Sequence, residues 1–182
     1  MLQITVPAVE LFDESINEFV KTKEQTLQLE HSLVSLSKWE SKWCKPFMSS
    51  KDKTVEETLD YIRCMTITQN VKPDVYLRLS KENVEQIERY ISAPMTATTV
   101  PKQQNGKINN EIVTAELIYY WMFTLNIPME CQKWHLNRLI TQIQTCNFKN
   151  QPPSKRKQNT SDLIVQQAAL NAERRAKLNS KG

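Results

Sequence analysis

The sequence predicts a mainly α-helical fold: a compact helical domain with a short N-terminal β element and a flexible basic helix at the C-terminal end. Three observations carry this reading. Apolar residues recur at helical spacing in several segments, most clearly as Leu136, Leu139, Ile140 and Ile143. A helix start is written at Thr54 and Glu57, where a hydroxyl accepts an early N–H and a carboxylate three residues on returns the bond. After Asn150 the composition turns proline-containing, polar and basic, as linkers do.

Taken in order, Leu2, Ile4 and Val6 alternate with Gln3 and Thr5 and stop at Pro7, the pattern of a short half-buried strand. A second such stretch, 26–30, carries Leu27 and Leu29 on one face, and the two are suited to pair. Residues 32–43 are expected to form a helix, with Leu33, Leu36 and Trp39 or Glu40 on one side and Trp39 and Trp43 four apart. The helix begun at Thr54 is expected to run to about Thr68 and to turn Val55, Leu59 and Ile62 inward. Another follows from Ser80, burying Val84, Ile87 and Ile91, and ends before Pro94, which cannot donate the ladder bond.

Residues 95–110 have no helical period and read as a loop, with a β-hairpin around Asn105-Gly106 as an option. The segment 112–125, IVTAELIYYWMFTL, is apolar on nearly every face, which predicts a helix buried all round. Pro128 suits the first position of the next helix, whose stripe from Leu136 to Ile143 would complete an α-hairpin at the centre of the core. A last helix is expected over 161–178. It has few large apolar anchors, so its stability would depend on a partner.

These elements divide into a helical core domain, 1–150, and a basic linker and tail, 151–182. Residues 154–182 hold seven basic residues (Lys155, Arg156, Lys157, Arg174, Arg175, Lys177, Lys181) against Asp162 and Glu173. The net charge of the chain is +4 and the tail alone accounts for +5, so the basic character belongs to the tail and not to the core. Hydrophobic residues at 40% and charged residues at 24% suit a globular protein, and no run of eighteen apolar residues is present to span a bilayer. Residues 1–19 lack the basic-then-apolar order of a signal peptide and carry Glu10, Asp13, Glu14 and Glu18, so the chain is expected to stay in the compartment where it is made.

Several kinds of chemistry lack their residues. Only two glycines occur, Gly106 and Gly182, so neither a P-loop nor a Rossmann phosphate cradle is written in the chain. The four cysteines, Cys44, Cys64, Cys131 and Cys146, form no CxxC and have only His31 and His135 for company, so no metal or other cofactor is expected and the thiols read as reduced core groups. Cys131 and His135, four apart beside Trp134, have the composition of a nucleophile pair. No third group is placed to orient them, and a core histidine bonded to a carbonyl is the expectation. Glu56, Glu57 and Asp60 read as charges favoured at a helix start rather than as an acid/base pair. The chain is therefore expected to bind and not to catalyse.

The wording of three stretches adds a resemblance: LEHSLVSLSKWESKW (29–43), TAELIYYWMFTLNIPMECQKWHLNRL (114–139) and ALNAERRAKLNSKG (169–182). In order and spacing they resemble proteins of the tail gene block of long-tailed bacteriophages, the tail assembly chaperones, over most of the chain. The resemblance implies a small helical protein of the host cell cytoplasm that binds the tape measure protein, covers its apolar helical stripes and helps recruit tail-tube subunits. It transfers no catalytic or ligand residue.

A chaperone for long amphipathic helices needs exposed apolar surface, for which Trp39, Trp43, Trp121, Met122, Met129 and Trp134 are candidates, methionine being adaptable to varied partners. The alternative for each is that it fills the core. Trp39, Trp43 and Trp134, with Arg174, Arg175 and Lys177 of the tail, are the expected partner-binding residues, and a homo-oligomer is compatible with them. Two other readings stand beside this one: a structural protein of the tail, neck or baseplate that stays in the virion, and a nucleic-acid-binding module working through the basic tail. The latter lacks any aromatic residue after Phe148 for base stacking.

Overall fold

The computed structural model describes residues 1–13, 18–50, 52–100, 112–150 and 160–178. Its elements are β1 (Leu2–Val6), β2 (Glu10–Asp13), β3 (Glu18–Lys21), β4 (Gln25–Leu29), α1 (Leu33–Trp43), α2 (Val55–Met65), α3 (Asp74–Leu77), α4 (Lys81–Ser92), α5 (Ala115–Thr124), a 3-10 turn at Met129–Lys133, α6 (Leu136–Asn150) and α7 (Thr160–Leu178). The chain is mainly helical with a small β element at its start, as the sequence predicts.

β1 and β4 pair antiparallel with Leu2 opposite Leu29 and Ile4 opposite Leu27. The alternation places Ile4, Val6, Leu27 and Leu29 on one buried face, as period-2 patterning requires. Between them the chain makes a second antiparallel pair, β2 with β3, that the alternation rule did not signal. Leu11-Phe12 and Phe19-Val20 are adjacent apolar pairs and not alternating ones, so period-2 patterning is silent there. The junction of the two ladders is closed by Thr22, whose N–H donates to the Val9 carbonyl at 2.9 Å, and by Arg78, whose Nη1 donates to the Pro7 carbonyl at 3.1 Å and to Thr22 Oγ1 at 2.9 Å.

α1 divides the core. Its N-terminus is capped by Ser32, which exchanges hydrogen bonds with Ser35, and its C-terminus stops where Cys44 turns left-handed at φ 50°. On one side Trp39 packs with Ile4, Val6, Leu27, Leu29, Tyr61, Ile62, Met65 and Ile87. On the other, Leu33 and Leu36 pack with Ala115, Ile118, Met122, Leu136, Leu139 and Ile143. Phe47 touches both groups. Full burial of such side chains contributes about 1.5–3 kcal/mol each, so α1, through Leu33, Leu36 and Trp39, ties the two clusters together.

α2 starts at the Thr54 cap, with Glu57 completing the reciprocal bond as the sequence indicates. It ends at Met65 and not near Thr68, because the following residues join β4: the Glu30 N–H donates to the Met65 carbonyl at 2.9 Å and the Ile67 N–H to the Gln28 carbonyl at 2.8 Å. Val55, expected inside, is 78% exposed, while Glu57 and Asp60 face inward beneath lysines. In α4, Ile87 is buried with Asn83 and Tyr90, whereas Val84 and Ile91 are half-buried. α6 grips the end of α4 through Asn137, whose Nδ2 donates to the carbonyls of Ile91 and Ala93 at 2.8 and 2.9 Å.

The largest departure from expectation is α5. Ala115, Ile118 and Met122 are buried, but Tyr120 is 62% and Phe123 64% exposed, so the helix is one-sided despite its apolar sequence. Pro128 precedes the 3-10 turn rather than opening α6 directly. The expected hairpin at Asn105-Gly106 and the linker 151–159 lie outside the described residues. Among the described residues, no helix is long and apolar enough to cross a membrane.

Candidate interaction surface

Two features of this fold bear on function, one buried and one exposed. The buried one is a polar group at the meeting point of β4, α1, α2, α4 and α6. Tyr61 Oη lies 2.6 Å from His31 Nδ1, the His31 and His135 rings meet edge to face with centroids 5.0 Å apart, and His135 Nε2 lies 3.0 Å from the Tyr90 carbonyl. The carbonyl can only accept, so His135 carries its proton on Nε2, and its buried Nδ1 has no partner among the described residues. Tyr90 in turn donates its hydroxyl to Glu30. Burial, and then the neighbouring His135, hold the His31 imidazole down to about 3, and burial lowers His135 as well. Both rings are thus neutral structural groups near neutral pH.

The expected bond from a core histidine to a carbonyl is therefore present at His135. Cys131 sits on the 3-10 turn, buried, and burial pushes its thiol upward, away from the thiolate a nucleophile needs. Glu57 and Asp60 are likewise engaged. The Lys45 ammonium bonds the Glu57 carboxylate, which also accepts the Thr54 N–H at 2.8 Å, and these bonds hold its carboxyl below the usual range. Burial works against ionisation of Asp60, but hydrogen bonds from Lys42 at 2.6 Å and Trp43 Nε1 at 2.9 Å prevail and keep it low. Among the described residues no group of three or more His, Cys, Asp or Glu is arranged to hold a metal ion.

The exposed feature is the outer face of α5. Glu116, Tyr120 and Phe123 recur at i, i+4 and i+7, all exposed, with Ile112 before the helix 57% exposed and Met129 after it 37%. The face is rigidly carried. Thr114 caps the helix through the Leu117 N–H, and its C-terminus closes with Asn126 left-handed at φ 52° and the Ile127 N–H on the Met122 carbonyl at 2.8 Å. Large rings on a fixed helix offer contact area at low entropic cost, the usual makeup of a binding anchor.

Of the residues singled out in the sequence, Trp39 is completely buried and donates Nε1 to the Glu57 carbonyl at 2.8 Å, so it is a core residue and lines no groove. Met122 is buried too. Trp43 and Trp134 are half-buried, Trp43 tied to Asp60 beneath Lys42 and Lys45, and Trp134 covered by the Arg138 guanidinium 4.3 Å from its ring. Arg174 and Arg175 are exposed on α7, as are Ile164 and Val165, whereas the Lys177 side chain lies outside the described ones. Trp43 and Trp134 pack against different clusters of the core. Sequence reading passed over Tyr120 and Phe123, although Glu116 marks their side of the helix as the one facing water. Compared with known protein families, characterised proteins and solved structures, the chain matches none.

Proposed function

We propose that this chain is a tail assembly chaperone of a long-tailed bacteriophage, acting in the host cytoplasm by binding and not by catalysis. It holds amphipathic helices of the tape measure protein against the outer face of α5 and helps recruit tail-tube subunits. The observation that supports this reading is the exposure of Tyr120 and Phe123 on a capped helix whose opposite side is anchored in the core. An apolar stripe of a partner helix fits such a face in the helix-in-groove manner, and the wording of 29–43, 114–139 and 169–182 supplies the identity of the partner.

Co-expression with the phage's tape measure protein tests it, with soluble complex scored by size-exclusion chromatography and mature virions searched for the chain by mass spectrometry. A soluble complex that is lost in a Tyr120→Asp, Phe123→Asp double variant, together with absence from virions, is the expected result. No complex and a stoichiometric presence in virions overturns it in favour of a structural tail protein.

A further inference from the structure

A row of cations lies along α1 and the neighbouring side of α2. Lys38, Lys42 and Lys45 recur at i, i+4 and i+7 on α1, all exposed, and Arg63 of α2 stands beside them with its Nε 3.6 Å from Asp60. Lys42 is set on Asp60 at 2.6 Å and Lys45 on Glu57, yet those carboxylates are 6% and 3% exposed while the two lysines are 48% and 54% exposed. The acids therefore lie beneath the ridge and the ammonium groups above it. Each ammonium carries three donors and spends one on its carboxylate, which leaves donors for a partner. Even with the exposed Glu56 counted, the four cations outnumber the acids. Lys42 and Lys45 stand over the Trp43 ring, 5.2 and 6.0 Å from its centroid, and Trp43 Nε1 is spent on Asp60. The ridge thus offers ammonium groups rather than an open ring, and suits carboxylates better than nucleic-acid bases.

The chain itself carries a matching acid. β2 and β3 form a two-stranded sheet of their own, and its register sets Asp13 directly opposite Glu18, a like-charge pairing that costs stability unless a cation joins it. Cross-strand residues stand about 5 Å apart, and residues four apart on a helix about 5–6 Å, so two acids meet two lysines in step. Within one chain the hairpin is tied at its base to Arg78 of α3 through Pro7 and Thr22. Among the described residues the ion pairs of the ridge come from α1 and α2 alone, so the acid that completes the ridge is supplied by another molecule.

We propose that the ridge is an interface with a second copy of this chain: the acidic end of each β2–β3 hairpin, Asp13 and Glu18, docks on Lys38, Lys42 and Lys45 of the other copy, closing a two-fold pair. The contact uses no residue of the α5 face and stands apart from the function proposed for it.

Sedimentation velocity of the full chain over a range of concentrations, at roughly 50 mM and roughly 0.5 M salt, tests it. The expected result is a dimer at low salt that dissociates at high salt. Two variants then exchange the charges. Lys38→Glu with Ser41→Glu turns the ridge net acidic while Lys42 and Lys45 stay on their buried carboxylates, and Asp13→Lys with Glu18→Lys turns the hairpin end basic. Each variant alone should associate at least about tenfold more weakly than the parent, because like charges now meet. An equal mixture of the two should regain the dimer, since the native hairpin of one meets the native ridge of the other and the reversed hairpin meets the reversed ridge. That recovery also shows that both variants are folded, and a circular dichroism spectrum of each checks it separately. A parent that stays monomeric at low salt, variants that associate as the parent does, or a mixture of folded variants that stays monomeric overturns the proposal.

Discussion

Glu40 reaches from the last turns of α1 to the first amide of α5: its Oε2 accepts the Ala115 N–H at 2.7 Å, while its Oε1 accepts the Phe47 N–H at 2.8 Å. A buried carboxylate thus caps a helix seventy-five residues away and fixes the loop after α1 at the same time. Negative charge at a helix N-terminus is favoured by the helix dipole, and leaving buried N–H groups without acceptors costs about 1–3 kcal/mol. Glu40→Ala is expected to destabilise the protein by roughly 2–4 kcal/mol in urea unfolding, and Glu40→Gln by less, because the amide retains one acceptor. Equal losses for both would show that charge and acceptor number do not matter there.

The histidine pair makes stability depend on pH in a definite direction. The folded His31 value, about 3, lies below the ordinary value of 6.5, so the unfolded chain takes up the proton first. Stability from this group is complete above pH 6.5 and falls as pH drops towards 3, by about 1.4 kcal/mol per unit for the one proton. His31→Phe should flatten that slope while costing about 1–3 kcal/mol at pH 7.5, since the buried Tyr61 hydroxyl loses its hydrogen-bond partner. Denaturant midpoints between pH 4 and 7.5 measure both, and an unchanged slope in the variant would remove His31 as its source.

Two left-handed residues end helices where glycine is the usual choice. Cys44, at φ 50°, closes α1, and Asn126, at φ 52°, closes α5. A side chain with a Cβ costs about 1–2 kcal/mol in that region, less for asparagine, which tolerates it. Cys44→Gly should therefore raise stability by up to ~1 kcal/mol, while Asn126→Ala should lower it by about as much. Thermal unfolding of the two variants separates these signs.

Aromatic substitutions should split into two classes. Trp39→Ala leaves a cavity in the core and removes the Nε1 bond to the Glu57 carbonyl, and should cost about 3–5 kcal/mol. Tyr120→Ala and Phe123→Ala should each stay within about 0.5 kcal/mol of the parent and weaken partner capture instead. Unfolding curves and a capture assay on the same three variants check the split, and a stability loss at Tyr120 as large as at Trp39 would contradict the exposed face.

Much of this molecule follows from local sequence. The alternation of Leu2, Ile4 and Val6, the capping residues Ser32, Thr54 and Ser80, and the stop before Pro94 each act within one turn or one strand, so their outcome does not depend on the rest of the chain. The carbonyl-bonded state of His135 followed from elimination, because no neighbouring residue offered it another role. Tertiary structure decided the remainder. α2 stops at Met65 because β4 offers backbone partners that no window around Thr66 contains. Trp39 and Trp43 stand four apart on one helix, yet only Trp39 is fully covered, since α1 passes between two clusters and ends at their edge. α5 reads as buried on every face because periodicity measures the apolar residues a helix carries and not the neighbours available to cover them. With α1 and α6 packed on one side, Tyr120 and Phe123 are left facing water, and that unpaired surface is a property of how the helices assemble, not of the segment that carries it.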